Sequence, residues 1–113
     1  MLAEDGVRIR HMVGAAESVG RFVAGRQRQD LDQDEMLRFA LTRAIEIIGE
    51  AASRVSPEGQ KSVPAVPWKE VMGMRNRLAH AYFDVDPDVL WRTAIEAVPM
   101  LLTQLLTVGP AES

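Results

Sequence analysis

Apolar residues recur every three or four positions along most of the chain, the spacing that places them on one face of an α-helix. In the first such segment Asp5 is positioned to cap a helix that runs to about Gly25. A second helix begins near Asp32, where Glu35 completes a capping box, and the turn-forming residues 56–59 end it. No segment shows the alternation of apolar and polar residues that is typical of a strand.

Two more helices are predicted after a loop that contains prolines. Pro67 suits the first position of a short third helix, which continues through Leu78. Asp86 and Pro87 provide the cap and the first residue of a fourth helix. Pro99 lies inside this last helix and should kink or split it.

These segments predict an all-α, up-and-down bundle of four to five helices. It forms a single domain over residues 1–113, with residues 109–113 as a disordered tail. The second helix is apolar around much of its circumference, and its apolar residues cannot all face one core. This surplus favours a homodimer with two-fold symmetry. The residues concerned are Ala44, Ile45, Ile47, Ile48, Ala51 and Ala52.

Composition excludes several classes of protein. The chain has no cysteine, which rules out disulfides, thiol nucleophiles and zinc–thiolate sites. Its net charge of −3 argues against a general nucleic-acid coat protein, although arginine outnumbers lysine by eleven to two and arginine suits phosphate. No uninterrupted apolar run of about 20 residues and no signal peptide are present, so we expect a cytoplasmic protein without a membrane segment.

Residues 73–82 concentrate the side chains that are best suited to chemistry. Arg75 is a permanent cation that can stabilise charge, and His80 can act as base or acid near neutral pH. Asn76 could orient the imidazole or donate a hydrogen bond to a phosphate oxygen. This set of side chains could cleave RNA without a metal, by attack of a ribose 2′-hydroxyl on the adjacent phosphorus.

The spacing of these residues places a condition on the backbone. In a regular helix Asn76 and His80 share a face, whereas Arg75 points well away from His80. A common site therefore requires the helix to end near His80, or two subunits to bring their motifs together. The predicted homodimer would supply the second arrangement.

The chain resembles the HepT-like toxin family of the HEPN superfamily over about residues 5–105. The matching segments include residues 8–12 (RIRHM), 44–52 (AIEIIGEAA), 66–68 (VPW) and 72–82 (MGMRNRLAHAY). Shorter matches at residues 85–86 and 90–91 follow in the same order.

This resemblance implies a fold, an activity and partners. The Arg-x4-His-x-Tyr signature corresponds to Arg75, His80 and Tyr82, and Arg77 adds a second cation to it. A metal-independent, homodimeric endoribonuclease toxin without a cofactor is implied. Its implied partner is an antitoxin, a minimal nucleotidyltransferase (MNT) that attaches AMP to Tyr82. The alternative is a non-catalytic helical module of the same fold that binds nucleotides or acts as a scaffold.

Residues outside the motif have simpler interpretations. Glu50 either pairs with Arg75 or Arg77 or faces solvent, and His11 is expected to be a hydrogen-bonded structural histidine. The two tryptophans, Trp68 and Trp91, are expected in the core or at an interface. The acidic run at residues 84–88 contains a proline and lacks the glycine and glutamate of a calcium loop, so no metal site is predicted.

Overall fold

The computed structural model describes residues 2–81 and 84–107 and has the predicted all-α architecture. Two long helices that pack against each other form its centre, α1 (Ala3–Val23) and α3 (Glu35–Ser53). A short helix, α2 (Asp30–Gln33), lies in the connection between them.

The motif lies in the shorter elements that follow. In chain order these are α4 (Pro57–Ser62), α5 (Trp68–Met72), α6 (Met74–Leu78), the strands β1 (Ala79–Ala81) and β2 (Asp84–Val85), α7 (Pro87–Arg92), a π-helical turn (Thr93–Ala97) and α8 (Val98–Leu106). The two strands pair antiparallel with an irregular register, so the chain reverses direction directly after α6. Strands of three and two residues are too short to show the alternation by which a strand is predicted.

The core is formed between α1, α3 and the last helices. The apolar surplus predicted on α3 is not present, because five of the six residues concerned are buried within one subunit and Ile47 is half-buried. The large exposed apolar side chains of α3 are Met36 and Phe39, near its start. The sequence argument for a homodimer was therefore based on the wrong residues. The largest fully buried side chains are Met12, Leu31, Leu41, Ile45, Ile48, Leu90, Leu101 and Leu105.

The helix caps agree with the predictions at one helix and differ at another. Asp86 caps α7 as predicted, and its carboxylate accepts hydrogen bonds from two backbone amides at 2.9 and 3.3 Å. At α3 the cap is Asp34, which accepts from the Leu37 amide at 3.0 Å, so the predicted Asp32 box is wrong. Helix α3 ends at Ser53, and Ser56, predicted to end it, instead starts the additional helix α4, because its hydroxyl accepts a hydrogen bond from the Gly59 amide.

Both predicted C-terminal helices are interrupted. The third is divided at Gly73 into α5 and α6. The fourth runs from α7 into α8 through the π-helical turn, where the Val98 amide donates to the Thr93 carbonyl five residues earlier. Pro99 has no amide hydrogen and cannot continue the regular ladder. The predicted irregularity near Pro99 is thus confirmed, in the form of a π-helical turn.

The combined helix Pro87–Leu106 is long and apolar enough, by length and composition, to cross a membrane. Its buried residues recur at helical spacing, and α8 packs against α1. We therefore interpret this helix as an amphipathic helix of the bundle, with one face in the core. The buried residues are Leu90, Ala94, Val98, Leu101 and Leu105.

Asp5 joins the start of α1 to the end of α3 and does not cap α1, which begins at Ala3. Its side chain is buried and accepts hydrogen bonds from the Ser56 hydroxyl at 2.6 Å and the Ser56 amide at 2.8 Å. A Cβ at Gly59 would lie only 2.5 Å from an Asp5 carboxylate oxygen, so this contact requires glycine. The hydrogen bonds from Ser56 hold the pKa of Asp5 below its usual value.

Replacing Asp5 with asparagine should lower the free energy of unfolding at neutral pH and by less in acid. A carboxyl whose pKa is lowered on folding contributes stability above its unfolded pKa of about 3.9. That contribution is lost as the pH falls through the folded pKa. Denaturant unfolding of both proteins between neutral and acidic pH measures the difference. A difference that stays constant over this range would contradict the role assigned to the Asp5 carboxylate.

Candidate active site

The backbone of residues 73–81 contains a helix end before His80, which is what a common site for Arg75 and His80 within one subunit needs. Helix α6 ends at Leu78, and His80 lies in β1. The amides of Asn76 and Arg77 both donate to the Gly73 carbonyl, at 3.1 and 3.3 Å, at the start of α6. Because His80 lies in β1, the regular-helix geometry in which Asn76 and His80 would share a face does not apply. The helix ends near His80, as a site within one subunit requires.

Helix α6 is anchored by its first residue. Met74 is buried in the core, whereas Asn76 and Arg77 are exposed. The Arg77 Nη2 donates a hydrogen bond to the Glu70 carbonyl oxygen at 3.0 Å, which orients its guanidinium toward α5. The side chains of Arg75 and His80, and the whole of Tyr82, lie outside the described residues. Their roles therefore stay predictions.

A groove of about 470 Å³ opens beside Arg77, and we call it the motif groove. Two guanidinium groups, those of Arg77 and Arg92, line it together with two carboxylates. The π-helical turn forms part of its wall, and such turns occur frequently at functional sites. Sequence reasoning missed Arg92, because its position beside Arg77 depends on how α6 and α7 pack. The lining residues are Glu70, Arg77, Val89, Arg92, Thr93, Glu96, Ala97 and Met100.

Glu50 and His11 lie away from this groove. Glu50 is exposed and forms no ion pair within the described part of the chain, so of its two predicted roles the structure favours the solvent-facing one. His11 is also exposed and has no hydrogen bond to any described residue, so the prediction of a hydrogen-bonded structural histidine is wrong. Both side chains line a second groove between α1 and α3.

Two aspartates of the acidic run after the motif have structural roles. Asp86 caps α7, and Asp88 accepts a hydrogen bond from Arg28 Nε at 2.6 Å. That ion pair fixes the connection before α2 to the start of α7. Within residues 2–81 and 84–107 no group of three acidic or histidine side chains is arranged to hold a metal ion. Trp68 is buried as predicted, and its indole nitrogen donates to the Val63 carbonyl at 3.1 Å.

The family and the known proteins to which this chain is similar are all described as ribonucleases or RNases. The family described as Ribonuclease HepT-like matches residues 12–108. A Methanocaldococcus jannaschii protein named "Putative RNase MJ1380" is 42% identical over 78 residues, which cover 65% of this chain and 72% of that protein. A Thermococcus cleftensis protein named "Probable ribonuclease HepT" is 44% identical over 73 residues, covering 65% of this chain and 66% of its own length.

A third similar protein covers more of the chain. The "Putative RNase TTE0752" of Caldanaerobacter subterraneus subsp. tengcongensis is 35% identical over 97 residues. The match spans 86% of this chain and 87% of that protein. No solved structure matches the chain significantly.

Proposed function

Because the chain belongs to the HepT-like ribonuclease family, we propose that it is a metal-independent endoribonuclease, the toxin of a type II toxin–antitoxin system in the cytoplasm. One structural observation supports this proposal most. Helix α6 ends at Leu78, so that His80 follows in a reversing strand while Arg77 remains beside the motif groove. The arrangement is one of the two that would allow Arg75 and His80 to share a site.

In the proposed reaction a ribose 2′-oxygen attacks the adjacent phosphorus. If His80 takes the proton from the 2′-hydroxyl, water supplies the proton to the departing 5′-oxygen. If His80 supplies that proton, water accepts the one from the 2′-hydroxyl. Arg75 stabilises the additional negative charge on the five-coordinate phosphorus, since a guanidinium stays protonated throughout. The products are a 2′,3′-cyclic phosphate and a 5′-hydroxyl, and the protons balance without a metal or a cofactor.

The motif groove would position the RNA next to the scissile bond. Arg77 and Arg92 can each present a planar pair of donors to a phosphate oxygen, and Asn76 is exposed close by on α6. Glu70 and Glu96 oppose the binding of a second phosphate in the same place but can accept hydrogen bonds from base amino groups. From the family to which the chain belongs, and not from the exposed surface of α3, we further propose that the protein is a homodimer in which the two motifs face a shared cleft.

Regulation is proposed to act at Tyr82. An MNT-type nucleotidyltransferase antitoxin would transfer AMP from ATP to the tyrosine hydroxyl, releasing pyrophosphate. Tyr82 is two residues from His80, so the attached phosphate and adenine would lie beside the catalytic groups.

An RNA with a single 2′-deoxyribose at the cleaved position tests the proposed chemistry. Wild-type protein in EDTA should cleave the all-ribose RNA to a 2′,3′-cyclic phosphate and should leave the deoxy bond intact, because the attacking oxygen is absent. Mass spectrometry of the product ends measures both results. Cleavage of the deoxy bond at an equal rate would exclude 2′-oxygen attack. RNA binding without any cleavage would favour the non-catalytic module.

A further inference from the structure

The groove between α1 and α3, which we call the α1–α3 groove, is a second concentration of unpaired polar side chains. It has a volume of about 330 Å³, and Ile47 and Ala51 supply its apolar part. The contact between Asp5 and Ser56 sets the antiparallel register of the two helices. It brings four polar residues to the same groove, namely Arg8, His11, Glu50 and Arg54.

This groove lies on the far side of α3 from α5. On α3, a Cβ added at Gly49 would come within 3.4 Å of the Val71 carbonyl oxygen, so this side of the helix faces the end of α5. Ile47 and Ala51 are each two positions from Gly49, a turn of about 200° around the helix. The α1–α3 groove and the motif groove are therefore separate sites, and a ligand must pass around α3 to reach both.

Arg8 and Arg54, the arginines of the α1–α3 groove, lack, among the described residues, the hydrogen-bond or ion-pair partners that most other arginines there have. The guanidinium groups of six arginines already form hydrogen bonds or ion pairs with carboxylates, carbonyls or a hydroxyl. Among arginines with described side chains, Arg8, Arg10, Arg54 and Arg92 have no such partner in the described part of the chain. Arg8 and Arg54 line the same groove. An anion can bind them without breaking an existing ion pair.

We propose that the α1–α3 groove binds a phosphate of a single-stranded RNA whose scissile bond lies at the motif. This proposal rests on the proposed ribonuclease function. Arg8 and Arg54 would donate to the phosphate oxygens, and His11 can donate from a ring nitrogen. Ile47, which is half-buried, offers apolar contact to a ribose or base, and Glu50 can accept from a ribose hydroxyl. Because the whole chain carries a charge of −3, such local cations determine where RNA binds.

Binding and cleavage assays test this site separately from the motif. In a His80→Ala background, the pair Arg8→Ala/Arg54→Ala should weaken binding of a long fluorescent RNA about tenfold. Losing the neutralisation of one phosphate should make the slope of log K against log salt shallower by about 0.7. Glu50→Gln should strengthen binding, since it removes a negative charge. With His80 intact, the arginine pair should leave cleavage of a dinucleotide unchanged, because a dinucleotide cannot reach both grooves.

The control pair Arg10→Ala/Arg21→Ala removes the same charge from α1. Arg10 lies about 200° around the helix from Arg8, and Arg21 lines a different groove against α8. An equal loss of affinity in both pairs, or no loss in either, would overturn the site. A changed sedimentation coefficient for Arg8→Ala/Arg54→Ala would also overturn it and would assign the groove to a subunit contact. If wild type cleaves no RNA while binding still depends on Arg8 and Arg54, the proposed function fails and the binding site stands.

Discussion

Replacing His80 with alanine should lower the kcat for RNA cleavage by about 10²–10⁴, the usual contribution of a general acid–base group. The proton of the 2′-hydroxyl would then have to pass to water, and no other side chain of the motif titrates near neutral pH. Growth arrest caused by expression of the chain should disappear with the same substitution. Single-turnover cleavage of a defined RNA in EDTA measures the loss.

Two controls separate lost chemistry from a damaged fold. His11→Ala removes the other histidine, which is exposed on α1, and should keep the wild-type kcat at saturating RNA. Imidazole added to the His80→Ala protein should restore part of the rate, because a free base can replace a missing one. Equal cleavage by wild type and His80→Ala would refute the mechanism.

Mixing His80→Ala with Arg75→Ala subunits should recover activity only if the site is shared between subunits.

The fold was predictable where the local signal had no competitor. Asp86 and Pro87 start α7 as predicted, because the cap and the proline act on the adjacent backbone. Three aspartates lie close together before α3, and the choice of Asp34 over Asp32 depends on the packing of α2. Asp5 was wrongly predicted as a cap, because the helix-start signal is local. Its actual contact, with Ser56, joins residues 51 positions apart and could not be predicted from the sequence.

The candidate site shows the same division. Sequence reasoning found residues 73–82, because the residue types alone suggest phosphodiester chemistry. It also named a helix end near His80 as one of two ways to form a common site, and α6 ends at Leu78. The position of Arg92 beside Arg77 in the motif groove was not predictable, since it arises from the packing of α6 against α7 and from the π-helical turn. The same is true of the α1–α3 groove, which depends on helix register.

The acidic net charge becomes compatible with an RNA substrate once the arginines are considered individually. Arg26 and Arg28 are held by carboxylates near α2, where they stabilise the connection between helices. The pKa of Arg26 is raised, chiefly by its hydrogen bond to Asp34. Such arginines are already neutralised by carboxylates. Within the described residues Arg8, Arg54 and Arg92 have no such carboxylate and line the two grooves, so net charge alone is a poor guide to function here.

Control through Tyr82 should be local. An AMP attached there adds a phosphate that competes with the scissile phosphate for Arg75 and Arg77, and an adenine that occupies the cleft. Screening at physiological salt limits electrostatic reach to about 8 Å, so a remote charge would have little effect. Inhibition should therefore come mainly from steric occlusion and should persist at high salt. Each further AMP would extend the block and add another negative charge.

Replacing Tyr82 with phenylalanine should separate cleavage from control. The variant lacks the hydroxyl that accepts AMP but keeps the aromatic ring, so RNA cleavage should continue at about the wild-type rate. Incubation with the nucleotidyltransferase partner and ATP should silence wild type and leave Tyr82→Phe active. Intact-protein mass spectrometry should show AMP additions on wild type alone. If Tyr82→Phe gains the same mass and loses activity equally, the acceptor is another residue, and occlusion next to His80 no longer explains the inhibition.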